Sequence, residues 1–336
     1  MTPARVEEIL SRAASKRVLV IGDLMLDEFV WGKVGRISPE APVPGVEVTG
    51  ESFYPGGAAN VSRNLRDFVQ CASVVGLVGA DRGGRKLREL LDEGGIDTAH
   101  LVEDATFPTI VKTRIIARQQ QVVRVDREQI RPPNREQVQR VIGEVRELLR
   151  DFDAIIFEDY GKGFLDAELV QAVSQSAADL GKIVTADPNP RHPIDWRNIT
   201  AVKPNRSEAF QAAGEPAQDA ADDPQTDAAL LRVGATLSER WDSKYLLITL
   251  GEQGMMLFEG GAQSHHIPTK ARQVFDVSGA GDTAIALFTL ALCCDASARE
   301  AAEIANHASA VVVGKLGTAT VARDELMASF GNDGSA

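Results

Sequence analysis

Short, nearly continuous apolar runs alternate along the chain with longer stretches whose apolar positions fall three and four apart. The runs at residues 17–22, 72–78, 154–157, 183–186 and 245–250 predict buried strands. The stretches at 57–68, 84–93, 134–149, 167–180 and 226–241 predict helices that each bury one face. A strand without polar alternation is apolar on both sides. The rhythm therefore predicts an α/β fold, a mostly parallel sheet covered by helices, with ligands beyond the carboxyl ends of its strands.

Two stretches depart from that rhythm. Residues 29–53 and 109–127 are rich in β-branched side chains and alternating charges, and the first holds three prolines. They predict strands of a small separate sheet projecting from one edge of the body, as a lid over the site or a dimer contact. Residues 214–227 are acidic, polar and proline-containing, and predict a solvated loop.

Charge narrows the partners. Acidic residues outnumber basic ones by 48 to 36, a net charge of -12, so the overall field repels nucleic acid and acidic membrane surfaces. An anionic substrate then needs locally gathered cations. Cys71, Cys293 and Cys294 are too few and too poorly spaced for a disulfide framework or zinc site. The first residues lack an apolar leader, and no later run has the roughly 18 apolar residues of a membrane span, so the expected location is the cytoplasm.

The segment 276–283, Asp-Val-Ser-Gly-Ala-Gly-Asp-Thr, runs directly into an apolar helix. Gly279, Ala280 and Gly281 let backbone N–H groups converge on an anion at a helix start, where the dipole also favours negative charge. Asp282 falls in the first turn. Phosphoryl transfer needs such a cradle and a carboxylate within reach of the acceptor hydroxyl, and this one segment supplies both. Gly56 and Gly57 open another helix and put Asn60 in its first turn, close-approach geometry suited to a polyhydroxy ligand. Asp23 and Asp27 are expected at the end of the first strand, where carboxylates can accept hydrogen bonds from vicinal hydroxyls. The strand at 17–22 is not followed by Gly-x-Gly-x-x-Gly, which argues against a dinucleotide-dependent oxidoreductase.

Taken in order, these elements resemble the PfkB/ribokinase family of carbohydrate kinases over essentially the whole chain. The matching features are Asp27, the element from Gly56 to Asn60, the NxxE motif Asn205-Arg206-Ser207-Glu208, the turn from Thr249 to Gly254, and the signature from Gly279 to Asp282. The resemblance implies a ribokinase-like three-layer sandwich with a small β lid, one kinase domain over residues 1–336, and ATP and Mg2+ as cofactors; the two lid-like β segments themselves suggest a homodimer through paired lids. The resemblance also implies Asp282 as the base and an anion hole at Gly279, Ala280 and Gly281. Asn205 and Glu208 would organise magnesium through water, and Thr249, Gly251 and Gly254 would approach the nucleotide. Asn306, Lys315 and Gly317 would lie near adenine. A role for K+ beside the nucleotide is left open.

Within that family the chain is most similar to the heptose 7-phosphate kinases of ADP-heptose biosynthesis. The similarity is carried by residues 22–27, 36–44, 119–126, 159–163 and 311–320. It implies transfer to the anomeric hydroxyl of D-glycero-D-manno-heptose 7-phosphate, with Asp23, Asp27, Asn60 and Asp159 on sugar hydroxyls. Candidate cations for the substrate phosphate are Arg36, Lys112, Arg114, Arg118, Lys162 and Arg191, with Arg36 and Lys162 foremost. There are departures: this chain reads Asp187-Pro188-Asn189-Pro190-Arg191-His192 where such kinases usually follow Asp-Pro with Lys-Gly, and Leu287 replaces the small residue commonest in the wider family. No His-x-Gly-His motif is present, so a kinase without a nucleotidyltransferase is expected. A kinase for another sugar or sugar phosphate, and a regulator that binds sugar and nucleotide without catalysis, remain the alternative readings.

Overall fold

The computed structural model describes residues 1–117, 120–261, 263–271 and 273–331. After a first helix α1 (Pro3–Ala13) and strand β1 (Arg17–Gly22), the chain makes a long ribbon, β2 (Leu24–Ile37) and β3 (Pro44–Gly57), that leads directly into α2 (Ala58–Arg66). Then follow β4 (Cys71–Val75), β5 (Leu77–Gly79), α3 (Arg82–Glu93), β6 (Val102–Asp104), and the hairpin β7 (Val111–Ala117) and β8 (Gln120–Arg127). The next units are α4 (Arg135–Leu148), β9 (Ala154–Glu158), α5 (Ala167–Asp179), β10 (Ile183–Asp187), β11 (Ala201–Val202), α6 (Arg206–Ala213) and α7 (Ala228–Trp241). The chain ends its described course with β12 (Tyr245–Thr249), β13 (Met255–Glu259), β14 (Gln263–Ile267), α8 (Ala280–Cys293), α9 (Ala298–Val313) and α10 (Arg323–Gly331).

Eight strands form the central sheet in the order β14-β13-β12-β11-β10-β9-β1-β4. The six from β4 to β12 are parallel, and β13 and β14 close one edge antiparallel. The period-2 alternation of β1 divides the core. Val18 and Val20 join one apolar cluster with α1, α2, α8 and α9. Leu19 and Ile21 join another with α4, α5 and α7. Both faces are dry, which is why the central strands read as unbroken apolar runs. The result is the three-layer α/β architecture.

Four details differ from the pattern-based expectation. The run 72–78 splits at Gly76, because a methyl group there would lie 2.5 Å from Leu24 Cγ and 2.7 Å from the Gly22 carbonyl oxygen. Strand β11 has two residues, too few for a periodicity to register, and the β13–β14 hairpin turns on Gly260 and Gly261, both with positive φ. The first strand ends at Gly22, not at Asp27. The Asp23 N–H bonds to the Glu158 carbonyl at 3.1 Å, and after this break Asp27 belongs to β2.

Strands β3-β2-β7-β8 form a separate four-stranded sheet. Strand β2 pairs antiparallel with β3 and parallel with β7, and β7 pairs antiparallel with β8. Its ribbon starts at the mouth of the central sheet, so one end of this small sheet is fixed beside the parallel strands' carboxyl ends. Trp31, Val48, Val123 and Val125 are exposed on it. No helix among the described residues is long and apolar enough to cross a membrane.

Candidate active site

The site is assembled where α8 begins. Gly279 caps α8 in the left-handed region at φ 82°, and a methyl group there would come within 2.9 Å of Asn60 Nδ2, so glycine meets both a conformational and a steric demand. Asp282, in the first turn, is 5% exposed. Its Oδ2 accepts a hydrogen bond from Asn60 Nδ2 at 2.6 Å, and its Oδ1 accepts one from the Tyr160 hydroxyl at 2.9 Å. Burial raises the Asp282 pKa above its ordinary value of 3.8, against the Asn60 and Tyr160 donors and Lys203, which lower it. The carboxylate is thus oriented by two donors yet kept basic. Next to it, Thr283 Oγ1 donates to Asn64 Oδ1 at 2.9 Å, so two buried polar pairs lock α8 to α2.

Behind Asp282 lies a second buried cluster. Lys203, 2% exposed, places Nζ 2.7 Å from Asp187 Oδ2. A methyl group on Gly281 would stand 3.5 Å from that ammonium, so the lysine faces the glycine-rich entry of α8. Burial pushes Asp187 up to about 7 while Lys203 opposes the rise, and the acidic neighbours raise Lys203 despite its own burial. Glu158, at the end of β9, is 1% exposed with no hydrogen-bond partner for Oε2 among the described residues, and its pKa lies well above 4.5 through burial and then the charges of Asp187 and Asp282. Neither Lys203 nor Tyr160 was singled out by motif. The available signal was slight: a lysine two residues before Asn205, and a tyrosine next to Asp159.

Two adjoining cavities open from this point. One, of about 560 Å3, is lined by Glu158, Lys203, Asn205, Glu208, Gly281 and Asp282. The other, of about 460 Å3 and mostly apolar, is lined by Thr249, Gly251, Gly254, Ala280, Gly281 and Asn306. They share Thr249, Gly251, Val277 and Gly281. Asn205 and Glu208 cap α6 reciprocally, Asn205 Oδ1 accepting from the Glu208 N–H at 2.9 Å and Glu208 Oε2 from the Asn205 N–H at 2.8 Å. Among the described residues no three His, Cys, Asp or Glu side chains are grouped to cage a metal ion. Asn205 and Glu208 offer the oxygen donors that a hydrated magnesium ion favours.

The remaining predicted residues fall into distinct places. Asp27, buried, pairs with Arg114 at 2.5 Å, and Gly56 packs so closely that a methyl group would lie 2.6 Å from Asp27 Oδ2. Gly57 caps α2 with φ 61°. Asp23 accepts the backbone N–H groups of Tyr160, Lys162 and Phe164, and with burial as the dominant cause its pKa rises to about 6. Asp159 accepts the Gly161 N–H and meets His192 Nδ1 at 3.0 Å. Both carboxylates thus hold the loop that presents Tyr160. Lys162 pairs with Glu128 at 2.7 Å. Arg36 is exposed near the far end of β2. Asn306 donates to the Pro268 carbonyl beside the apolar cavity, while Lys315 bonds Glu325 and the Gly317 N–H bonds Asp276, outside the cavity lining. Arg118 and Gln119 lie outside the described residues.

Comparison with known proteins bears on the family and the fold. Residues 15–325 match the model of the pfkB family carbohydrate kinases. The chain is 42% identical over 333 residues to the bifunctional protein HldE of Citrifermentans bemidjiense, covering 99% of this chain and 67% of that protein. It is 40% identical over 331 residues to HldE of Geobacter metallireducens, covering 98% and 66%. The chain thus spans about two thirds of the length of these relatives. In fold it is similar to Arabidopsis thaliana ribokinase complexed with ribose and ATP, with TM-score 0.69, 18% identity and 94% and 99% of the chains covered. It is also similar to phosphofructokinase-2 from Escherichia coli in complex with potassium, with TM-score 0.74, 16% identity and 95% and 99% covered.

Proposed function

This chain belongs to the pfkB family of carbohydrate kinases, and from that premise we propose that it transfers the γ-phosphoryl group of ATP to the anomeric hydroxyl of D-glycero-D-manno-heptose 7-phosphate, giving the 1,7-bisphosphate. The observation that carries the mechanism is the buried Asp282 carboxylate, held by Asn60 and Tyr160 at the head of a helix with a glycine entry. The acceptor hydroxyl lies against Asp282, which takes its proton as the oxygen attacks phosphorus in line. Backbone N–H groups from Gly279 to Gly281 and the dipole of α8 hold the equatorial oxygens as the bond to ADP breaks. Lys203, beside Gly281, adds a fixed positive charge to the moving phosphoryl group. Magnesium, when bound, neutralises phosphate charge, and Glu208 with Asn205 sits at the cavity lip where its waters can be held. The apolar cavity by Asn306 takes adenine.

The heptose reading is supported by the two HldE relatives and by the residues 159–163 that position Tyr160 on the base. Exposed Trp31, Val48, Val123 and Val125 on the small sheet favour a homodimer through the lids. ADP release measured over a panel of sugars and sugar phosphates tests the substrate: a strong preference for the heptose 7-phosphate is expected. Equal turnover of hexose phosphates or unphosphorylated ketoses would replace it with the broader sugar-kinase reading, and no turnover above background with any of them would leave a binding protein. Turnover at KCl and at NaCl of equal ionic strength tests a contribution from K+ near the nucleotide.

A further inference from the structure

We infer that Lys112 and Lys162 form a phosphomonoester subsite at the small-sheet end of the cleft, gripping the acceptor's own phosphate; the inference rests on the kinase reading above. The lid register brings the relevant charges together. Lys112 on β7 stands opposite Asp27 on β2 and opposite Asp126 on β8, and Glu128 follows just beyond the end of β8. Every one of these carboxylates already has another cation. Asp27 holds Arg114 at 2.5 Å, Asp126 holds Arg124 at 2.9 Å, and Glu128 holds Lys162 at 2.7 Å. Lys112, half-buried, has no ion-pair partner among the described residues. A partly desolvated ammonium next to a second ammonium is unfavourable unless an anion joins them.

The second observation concerns direction. The Lys112 ammonium lies 5.8 Å from the centre of the Tyr160 ring, while the hydroxyl of that same ring donates to Asp282. Lys162 leaves the loop two residues later, its backbone N–H fixed on Asp23. Tyr160 therefore meets the base with its hydroxyl and the Lys112 ammonium with its ring. An acceptor lying along it would put its attacked hydroxyl at one end and an anionic group at the other. Burial and then the charge of Lys162 lower the Lys112 pKa, against the charges of Asp27, Glu128 and Asp126, which raise it. A phosphate dianion suits this pair because each ammonium has three rotatable donors, and Lys162 can keep Glu128 while donating to the ligand. Arg36, foremost by sequence, stands out on the ribbon and takes no part.

The test is a kinetic comparison of D-glycero-D-manno-heptose 7-phosphate with the unphosphorylated heptose, in the full chain and in Lys112→Gln, Lys162→Gln and Lys112→Arg. The ratio of kcat/KM for the phosphorylated over the free sugar is expected to fall about 10- to 100-fold in each Gln variant, mostly through KM, the loss typical of one charge-assisted contact. Lys112→Arg should recover part of it. Thermal unfolding and the KM for ATP establish that each variant is folded. If the parent prefers the phosphorylated sugar and both Gln variants keep that ratio, the phosphate binds elsewhere and the subsite is refuted while the heptose reading stands. If the parent shows no preference, the heptose 7-phosphate reading and the subsite fail together.

Discussion

The two ends of the cleft are built in opposite ways. At the sugar end, buried side chains from separate elements are tied to one another before any ligand arrives: Asn60 and Tyr160 to Asp282, Arg114 to Asp27, and Asp23 to three backbone N–H groups. At the proposed nucleotide end Asn205 and Glu208 cap their own helix, Asn306 is buried against the Pro268 carbonyl, and the cavity wall is largely apolar. In the proposed mechanism the first end positions a reacting group, and the second offers a surface for phosphates and a hydrated cation. Rigidity is concentrated where a fraction of an ångström decides reaction geometry.

The comparison can be broken at its strongest point first. Asp282→Asn keeps the shape but removes the base, and kcat is expected to fall at least about a thousandfold with ATP affinity retained. Near-normal turnover in that variant would end the assignment of the base. Lys203→Met, made together with Asp187→Asn so that no carboxylate is left buried and unpaired, should lower kcat about a hundredfold, the range typical of losing one preorganised charge stabiliser. A change confined to KM for ATP would instead place Lys203 in ground-state binding.

Smaller effects sharpen the contrast. Tyr160→Phe removes a donor that lowers the Asp282 pKa, so kcat/KM should drop about tenfold and the acid limb of its pH profile should move to higher pH. An unmoved limb would mean that the hydroxyl does not hold the base. Glu158 bears on stability. Because its folded pKa is raised above 4.5, its favourable contribution is complete below that value and is lost as pH rises toward the folded pKa. Glu158→Gln imitates the protonated acid, so it should gain about 1 kcal/mol over the parent at pH 8 relative to pH 5 by denaturant unfolding. Parallel pH curves for the two proteins would contradict a protonated Glu158.

The same contrast explains what could be read from sequence. The body was legible because its strands are apolar on both faces and its helices on one. The Gly279–Asp282 cradle was legible because a helix start, two glycines and a carboxylate lie within four residues. The sugar end was less so, since its bonds join residues far apart in the chain, 222 positions for Asn60 and Asp282 and 122 for Tyr160 and Asp282. Asp23 and Asp159 show the limit well. Their residue type fits a sugar ligand, but only the fold reveals that each accepts backbone N–H groups of the 159–164 loop. Lys203 was hidden because nothing local distinguishes a lysine aimed at a glycine from one aimed at solvent.

The β2–β3 ribbon shifts register twice, between Trp31 and Gly32 and again between Val34 and Arg36. The first shift leaves Thr49 as the extra residue on one strand, and the second leaves Gly35 as the extra residue on the other, so the offsets cancel and the pairing of Arg36 with Gly45 is back in phase with that of Asp27 with Tyr54. The arm is thereby joined to its root through a self-correcting seam. Its outer half can be lengthened, exchanged or grafted without reversing the faces of the residues that line the cleft.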